Sequence, residues 1–256
     1  MRRYPSRGPS QSSFSFGPGP LTPAIKVLIV TNVALFLVMW LMPAGLRQSV
    51  QEFFGLVPAA IFESFRVWQP VTYMFLHDTQ YLGHILFNML ALWMFGTELE
   101  RMWGTNAFLR YYFATGIAAA ITTVVVSLAP FPSTARLFDT VTIGASGAIY
   151  GLLLAYGLTF PNRPIYIYFI FAIPAKYFVM IMGAIALLSS FGGSGGGVAH
   201  ITHLGGLIAG YVMLRAGRLS PANEVRYRYL RWKMDRARKK FGVYSGGKDN
   251  WDKHVH

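Results

Sequence analysis

Apolar residues in this 256-residue chain come in long runs rather than in alternation. The runs fall at about 27–42, 82–99, 107–129, 145–160, 175–191 and 198–216. A helix of about 20 apolar residues crosses a bilayer's hydrocarbon core, and only a helix or a closed barrel satisfies its backbone there. The runs therefore predict six spanning helices. The fifth run is interrupted: apolar residues start at Ile165, but Pro174 and Lys176 break them, so Lys176 is placed at the membrane edge and the helix starts there. Between the first two runs, 43–80 mixes aromatics with scattered charges, as in "QEFFGLVPAAIFESFRVWQPVTYMFLH". That mixture suits a segment lying partly in the interface, where Trp68 and Tyr73 are at home. Residues 1–25 are rich in Pro, Gly and Ser and are expected to form a flexible tail. The first run has a long polar lead, Lys26 against its start and no small-x-small site after it. It is expected to stay as an uncleaved span rather than leave as a signal peptide. The domain reading is thus a tail at 1–25, a helical domain at 26–217 and a basic tail at 218–256.

Composition agrees with a membrane class: 54% of residues are hydrophobic, 13% are charged, and mean hydropathy is +0.40. The net charge of +13 would suggest nucleic acid in a soluble chain. Here the basic residues lie outside the apolar runs, so they read as orientation signals and no nucleic-acid partner is expected. With the N-terminus inside, the inner side collects Arg2, Arg3, Arg7, Lys26, Arg101, Arg110, Arg163 and Lys176. It also collects ten basic residues at 215–240, against Glu224 and Asp235. The outer side has Arg47, Arg66 and Arg136. Both termini are expected in the cytoplasm. The basic C-terminal stretch reads either as a helix on anionic lipid or as a solvated end that fixes topology. There is no cysteine, which excludes disulfides, thiol catalysis and Cys-bound zinc.

Polar side chains at membrane depth need a reason. The second run carries His84 and Asn88, four residues apart and so on one helix face. The fourth carries Ser146 at its start, and the sixth carries His200 and His203. The orientation puts His84, Asn88, Ser146 and His203 at similar depth toward the outer side. A lone serine there is ordinarily a cap or a packing residue, and an intramembrane histidine an interhelical hydrogen bond or proton relay. Together the four supply a hydroxyl nucleophile, a base and oxyanion donors, the parts of an acyl-transfer site. A zinc site at His84, His200 and His203 is the chemical rival. It lacks an H-E-x-x-H motif, and Glu98 and Glu100 fall at the other end of the second span. The hydrolase G-x-S-x-G elbow also fails, because Ala148 stands where its second glycine belongs. Asp78 and Asp139 fall in outer loops, leaving a Ser–His dyad as the economical arrangement. No cofactor and no metal is called for.

These residues resemble the rhomboid intramembrane serine proteases. "HILFNM", "GASGAIYG" and "AHITHLGGLIAGY" occur in that family's order, and the likeness runs from about residue 27 to 216. "WQPVTYMFLHD" looks like its first loop, "FGTELERMWG" like the exit of its second helix and "PAKYFV" like the start of its fifth. The resemblance implies Ser146 as nucleophile, His203 as general base, and His84, Asn88 and the Ser146 backbone N–H as oxyanion donors. It implies Tyr150 as the aromatic beside the base and His200 as a neighbour of it. One departure is Trp68-Gln69 where many members have Trp-Arg, at a position that anchors the first loop.

Gly144 and Gly147 allow a sharp turn and a close helix approach. Gly147 with Gly151, and Gly206 with Gly210, form small-xxx-small seams whose meeting would bring Ser146 to His203. The expected architecture is an all-α membrane protein with a six-helix rhomboid-like bundle and a water-filled cavity floored by the fourth span. The resemblance points to the fifth helix and the loop at 189–197 as a gate, to transmembrane proteins as substrates and to the bilayer as the second partner. The expected function is intramembrane serine proteolysis near the outer face, in a bacterial inner membrane. The alternative is a catalytically inactive relative that binds or moves membrane proteins. A transporter would call for inverted repeats, and none is evident. Oligomeric state and physiological substrate stay open.

Overall fold

The computed structural model describes residues 17–130, 132–167, 171–191, 197–218 and Arg236. The expected gate segment at 192–196 and nearly all of the basic tail lie outside the described residues. The chain divides into two units at Val212, and the fold described below is that of the first.

Helix α1 (Pro23–Leu41) is apolar all round, and after Met42 comes a set of short helices: α2 (Ala44–Phe54), α3 (Pro58–Ser64) and α4 (Gln69–Thr72). Helix α5 (Leu82–Ala91) runs through one π turn (Leu92–Gly96) into α6 (Thr97–Trp103), which stops at Gly104. Helix α7 (Thr105–Ser127) returns, and α8 (Pro132–Asp139) is a short connector. Helix α9 (Ser146–Thr159) is followed by an antiparallel hairpin, β1 (Pro164–Ile167) with β2 (Phe171–Pro174). Helices α10 (Ala175–Phe191) and α11 (Gly197–Arg218) follow.

Pro23–Leu41, Leu82–Trp103 and Thr105–Ser127 are each long and apolar enough to cross a membrane. Ser146–Thr159 and Ala175–Ser190 are shorter apolar helices. With α11 they correspond to the six expected spans, and the fold is an all-α membrane bundle. The hairpin is its exception. Its residues, "PIYI" and "FAIP", are β-branched, aromatic or proline, and a proline bounds each outer end. Those choices disfavour helix and fit a pleated strand.

Helix α9 is the core of the bundle, with ten of its 14 residues buried. At 1.5 Å per residue it is about 21 Å long, well short of a hydrocarbon core of about 30 Å. Just past its C-terminal end Arg163 pairs with Glu98 of α6 at 2.8 Å, so that end is level with the α6–α7 turn and the shortfall leaves the N-terminal end recessed. By contrast α1 shows Val27, Val30, Leu37, Trp40 and Leu41 on its outside, the apolar exposure that lipid accommodates.

Glu100 joins the start of α1 to the turn between α6 and α7. Its buried carboxylate accepts from Ala24 N (3.0 Å), Ile25 N (3.1 Å), Thr105 Oγ1 (2.7 Å) and Thr22 Oγ1. Pro23 has no N–H to satisfy, so one side chain serves the open first turn of α1. Just ahead of it, Arg101 donates to the carbonyls of Pro18 and Pro20, and Trp93 Nε1 donates to Gly19 O at 3.1 Å. The part of the expected flexible tail at 17–25 is thus tied to the bundle, because its carbonyls meet fixed donors. Residues 1–16 lie outside the described residues.

The segment at 43–80 is anchored by Gln69. This fully buried side chain accepts from Val57 N (3.0 Å) and donates to Glu52 O (3.1 Å) and Phe53 O (3.3 Å). Trp68 Nε1 also donates to Phe53 O, and Arg66 donates to Glu52 O. The Trp68-Gln69 departure keeps the loop anchored through a neutral amide, with the guanidinium supplied from Arg66.

Candidate functional site

The chain approaches α9 through a loop fixed at two points. Leu56 and Thr142 exchange backbone hydrogen bonds of 2.9 and 2.8 Å, and Gly144 N donates to Tyr73 O at 2.9 Å. The Tyr73 hydroxyl in turn donates to Gly116 O of α7 at 2.8 Å. Gly144 has φ +123°, which side chains rarely adopt, and a Cβ there would lie 2.6 Å from His84 Nε2. Glycine is needed at this position for both reasons. Two residues later Ser146 opens α9 behind an N-cap alanine, Ala145, that has no side chain able to cap it.

The Ser146 Oγ lies 2.8 Å from His203 Nε2. What brings the two together is helix contact without side chains between. A Cβ on Gly206 would run into the Gly147 carbonyl, and one on Gly210 would lie 3.1 Å from Gly151 Cα. The seams of α9 and α11 therefore face each other. Thr202 Oγ1 and Thr123 Oγ1, 2.7 Å apart, tie α11 to α7 beside His203. Tyr150, one turn after Ser146, stacks on the His203 ring with centroids 4.2 Å apart and planes 7° from parallel. His200 meets the same ring edge-on at 5.8 Å. Buried His203 Nδ1 has no partner among the described residues, so no third member extends the pair.

His84 and Asn88 line the other side. Asp78 N–H donates to His84 Nδ1 at 3.2 Å. In a neutral ring that fixes the tautomer, so the proton sits on Nε2. That nitrogen is the one beside Gly144 and Ser146. Asn88 is buried and uses one amide N–H on His84 O at 2.7 Å, with a second N–H remaining. His77, fully buried in the preceding loop, packs on His84 with ring centroids 5.1 Å apart. Burial, with the nearby His84 second, pushes its pKa down to about 3.

All the expected residues, Ser146, His203, His84, Asn88, Tyr150, Gly144, Gly147 and His200, thus gather around one recessed helix start. His77, Tyr73 and the Asp78 backbone belong to the same locus; from sequence Tyr73 reads only as an interfacial aromatic and Asp78 only as a loop residue, and His77 is not marked. Their only advance signal of a place at the site was their position in the loop leading into "HILFN". Among the described residues no three His, Cys, Asp or Glu side chains are grouped as metal ligands. The arrangement holds a hydroxyl against an imidazole nitrogen and sets His84 Nε2 beside them.

Comparison with known proteins places the chain among relatives of this kind. The family profile described as Rhomboid domain matches residues 64–218. The Bacillus subtilis rhomboid protease GluP is 30% identical over 206 residues, covering 80% of this chain and 36% of that protein. The mitochondrial rhomboid protein 1 of Saccharomyces cerevisiae is 32% identical over 137 residues, 51% of this chain and 37% of its own. The rhomboid protease AarA of Providencia stuartii is 27% identical over 227 residues, 83% of this chain and 77% of its own. The chain spans little more than a third of the length of the first two. It is an integral membrane protein, and it belongs to the rhomboid family.

Proposed function

We propose that the protein is an intramembrane serine endopeptidase that cleaves single-span membrane proteins near the outer face of a bacterial inner membrane. The observation that carries this reading is the 2.8 Å contact between Ser146 Oγ and His203 Nε2. Ser146 Oγ attacks the scissile carbonyl carbon as its proton passes to His203 Nε2. The carbonyl oxygen takes the negative charge and is held by His84 Nε2–H, the Asn88 amide and the Ser146 backbone N–H. His203 then gives its proton to the leaving amine as the C–N bond breaks. A water, deprotonated by the same imidazole, attacks the acyl-enzyme, and the imidazolium returns the proton to Ser146 Oγ as the acyl bond breaks. Tyr150 holds the ring face, and Nδ1 carries the ring's other proton.

The recessed start of α9 supports a hydrated cavity above it, since hydrolysis requires water that hydrocarbon lacks. Substrate enters sideways past α10, and both termini of the enzyme lie in the cytoplasm, following the distribution of Lys and Arg. The test is cleavage of labelled single-span substrates by purified full chain in detergent. Wild type cleaves, whereas Ser146→Ala and His203→Ala fall to background. A serine-reactive fluorophosphonate labels Ser146 only when His203 is intact. A Ser146 that stays unlabelled in folded protein would overturn the reading in favour of a non-catalytic binding protein.

A further inference from the structure

The end of the bundle away from Ser146 carries a cleft that the proposed chemistry does not use. Helix α9 ends at Thr159, and Arg163 follows within a turn closed by Arg163 N–H to Phe160 O at 3.1 Å. Helix α6 ends alongside at Trp103, with Glu98 and Arg101 on one face, three residues apart. Between these ends and the backbone at 17–19 lies an open cleft of about 530 Å³, lined by Glu98, Arg101, Met102, Phe160 and Arg163. A volume of this size accommodates a small ligand.

Among the described residues its charge is two guanidiniums against one carboxylate. Both arginines are held in place. Arg163 lies 2.8 Å from Glu98 and sits over the Phe160 ring at 5.6 Å. Arg101 donates to Pro20 O at 2.7 Å and to Pro18 O. Each guanidinium has five N–H donors, so several remain on each for an incoming anion. A planar fork that is already positioned suits phosphate better than a mobile ammonium does. Met102 and Phe160 add apolar wall. Depth decides the remaining question of what meets the cleft: Leu82–Trp103 and Thr105–Ser127 are membrane-spanning lengths that meet here, so the cleft opens at headgroup level.

The geometry points to a binding site for one phosphate-bearing anionic headgroup, gripped by Arg101 and Arg163. Glu98 is its internal competitor, since the same guanidinium of Arg163 must serve either the carboxylate or the phosphate. The site stands apart from Ser146 and does not depend on the protease reading.

The test uses full-length Ser146→Ala protein, so that turnover plays no part. It is placed in phosphatidylcholine nanodiscs with and without phosphatidylglycerol, and lipid retained on the protein is counted by native mass spectrometry. Phosphatidylglycerol is retained by the parent, and an added Arg101→Gln/Arg163→Gln pair weakens retention by at least about tenfold. Adding Glu98→Gln instead keeps both arginines and tightens retention, which preserves the test if the double variant does not fold. Glycerol phosphate or inorganic phosphate competing the lipid away at millimolar concentration would assign the site to soluble phosphate. Equal retention in all variants, or none in the parent, would overturn the proposal.

Discussion

At the scale of single residues, the site depends on which nitrogen of His84 carries a proton. The Asp78 N–H occupies Nδ1, which leaves Nε2–H facing the space beside Ser146. In the proposed reaction it is an oxyanion donor, a role that acts in the transition state more than in the bound substrate. His84→Ala and Asn88→Ala should each lower kcat about 10²–10³-fold with KM little changed, as measured on one substrate series. Fluorophosphonate labelling of Ser146 should persist in both variants, because the dyad is untouched. His77 contributes differently. Its folded pKa is about 3 against an ordinary 6.5, so the unfolded chain binds a proton there that the folded one excludes. Stability from this residue is complete above pH 6.5 and is lost as pH falls toward 3, by up to about 1.4 kcal/mol per pH unit. His77→Phe keeps a ring against His84 and removes the titration. Its thermal midpoint in detergent should therefore drop less than wild type's between pH 7.5 and pH 5, and an equal drop would refute the assignment. Ser146, His203, His84 and Asn88 were legible in the sequence because costly polar groups stand out in apolar runs and helical spacing sorts them by face. Asp78 and His77 were not, because a backbone donor and a loop side chain have no period to betray them.

At the scale of elements, two glycine seams set the distance between Ser146 and His203. The Gly206 position touches the Gly147 carbonyl directly, so one methyl group there must push α11 from α9. Gly206→Ala should destabilise the bundle by about 1–3 kcal/mol. It should also cut activity by about 10²-fold or more, because a shift near 1 Å spoils the attack geometry. Gly183→Ala is the matched control, since a Cβ there makes an ordinary 3.5 Å contact with Leu207. Thermal midpoints and cleavage rates of the two variants separate a seam effect from a general loss of glycine. The seams could be read from i, i+4 spacing alone. The β1–β2 hairpin could not be settled the same way. Its residues form an apolar run from Ile165 onward, and only Pro164 and Pro174 mark it as something other than helix. The π turn at Leu92–Gly96 was also hidden, because one extra residue in a turn leaves the apolar pattern of a buried helix unchanged. Gln69 shows a further limit: the family resemblance marked an anchoring position, but tertiary contact decided that an amide could fill it.

At the scale of the whole molecule, a short core helix among longer ones makes a recess, and under the proposed function that recess would select the substrate. A spanning helix has every backbone carbonyl engaged four residues on, so none is available to Ser146 until a turn unwinds. Helix interiors cost about 1 kcal/mol more with Gly than with Ala and about 3 with Pro. A substrate with Gly or Pro near the scissile bond has met part of that unwinding before it binds. Replacing two such residues by Leu should therefore raise the barrier by about 1.5–2 kcal/mol or more, a loss of roughly 10–30-fold in kcat/KM. The same replacements in a short, unstructured peptide carrying the same bond should change the rate little, because no helix is there to open. Cleavage of both substrate pairs by one enzyme preparation makes the comparison. If the peptide pair shows the full loss, Leu is being rejected by side-chain contacts at the site. If only the spanning pair shows it, helix opening sets the rate, and the depth of Ser146 at the start of α9 determines which substrate residues must unwind.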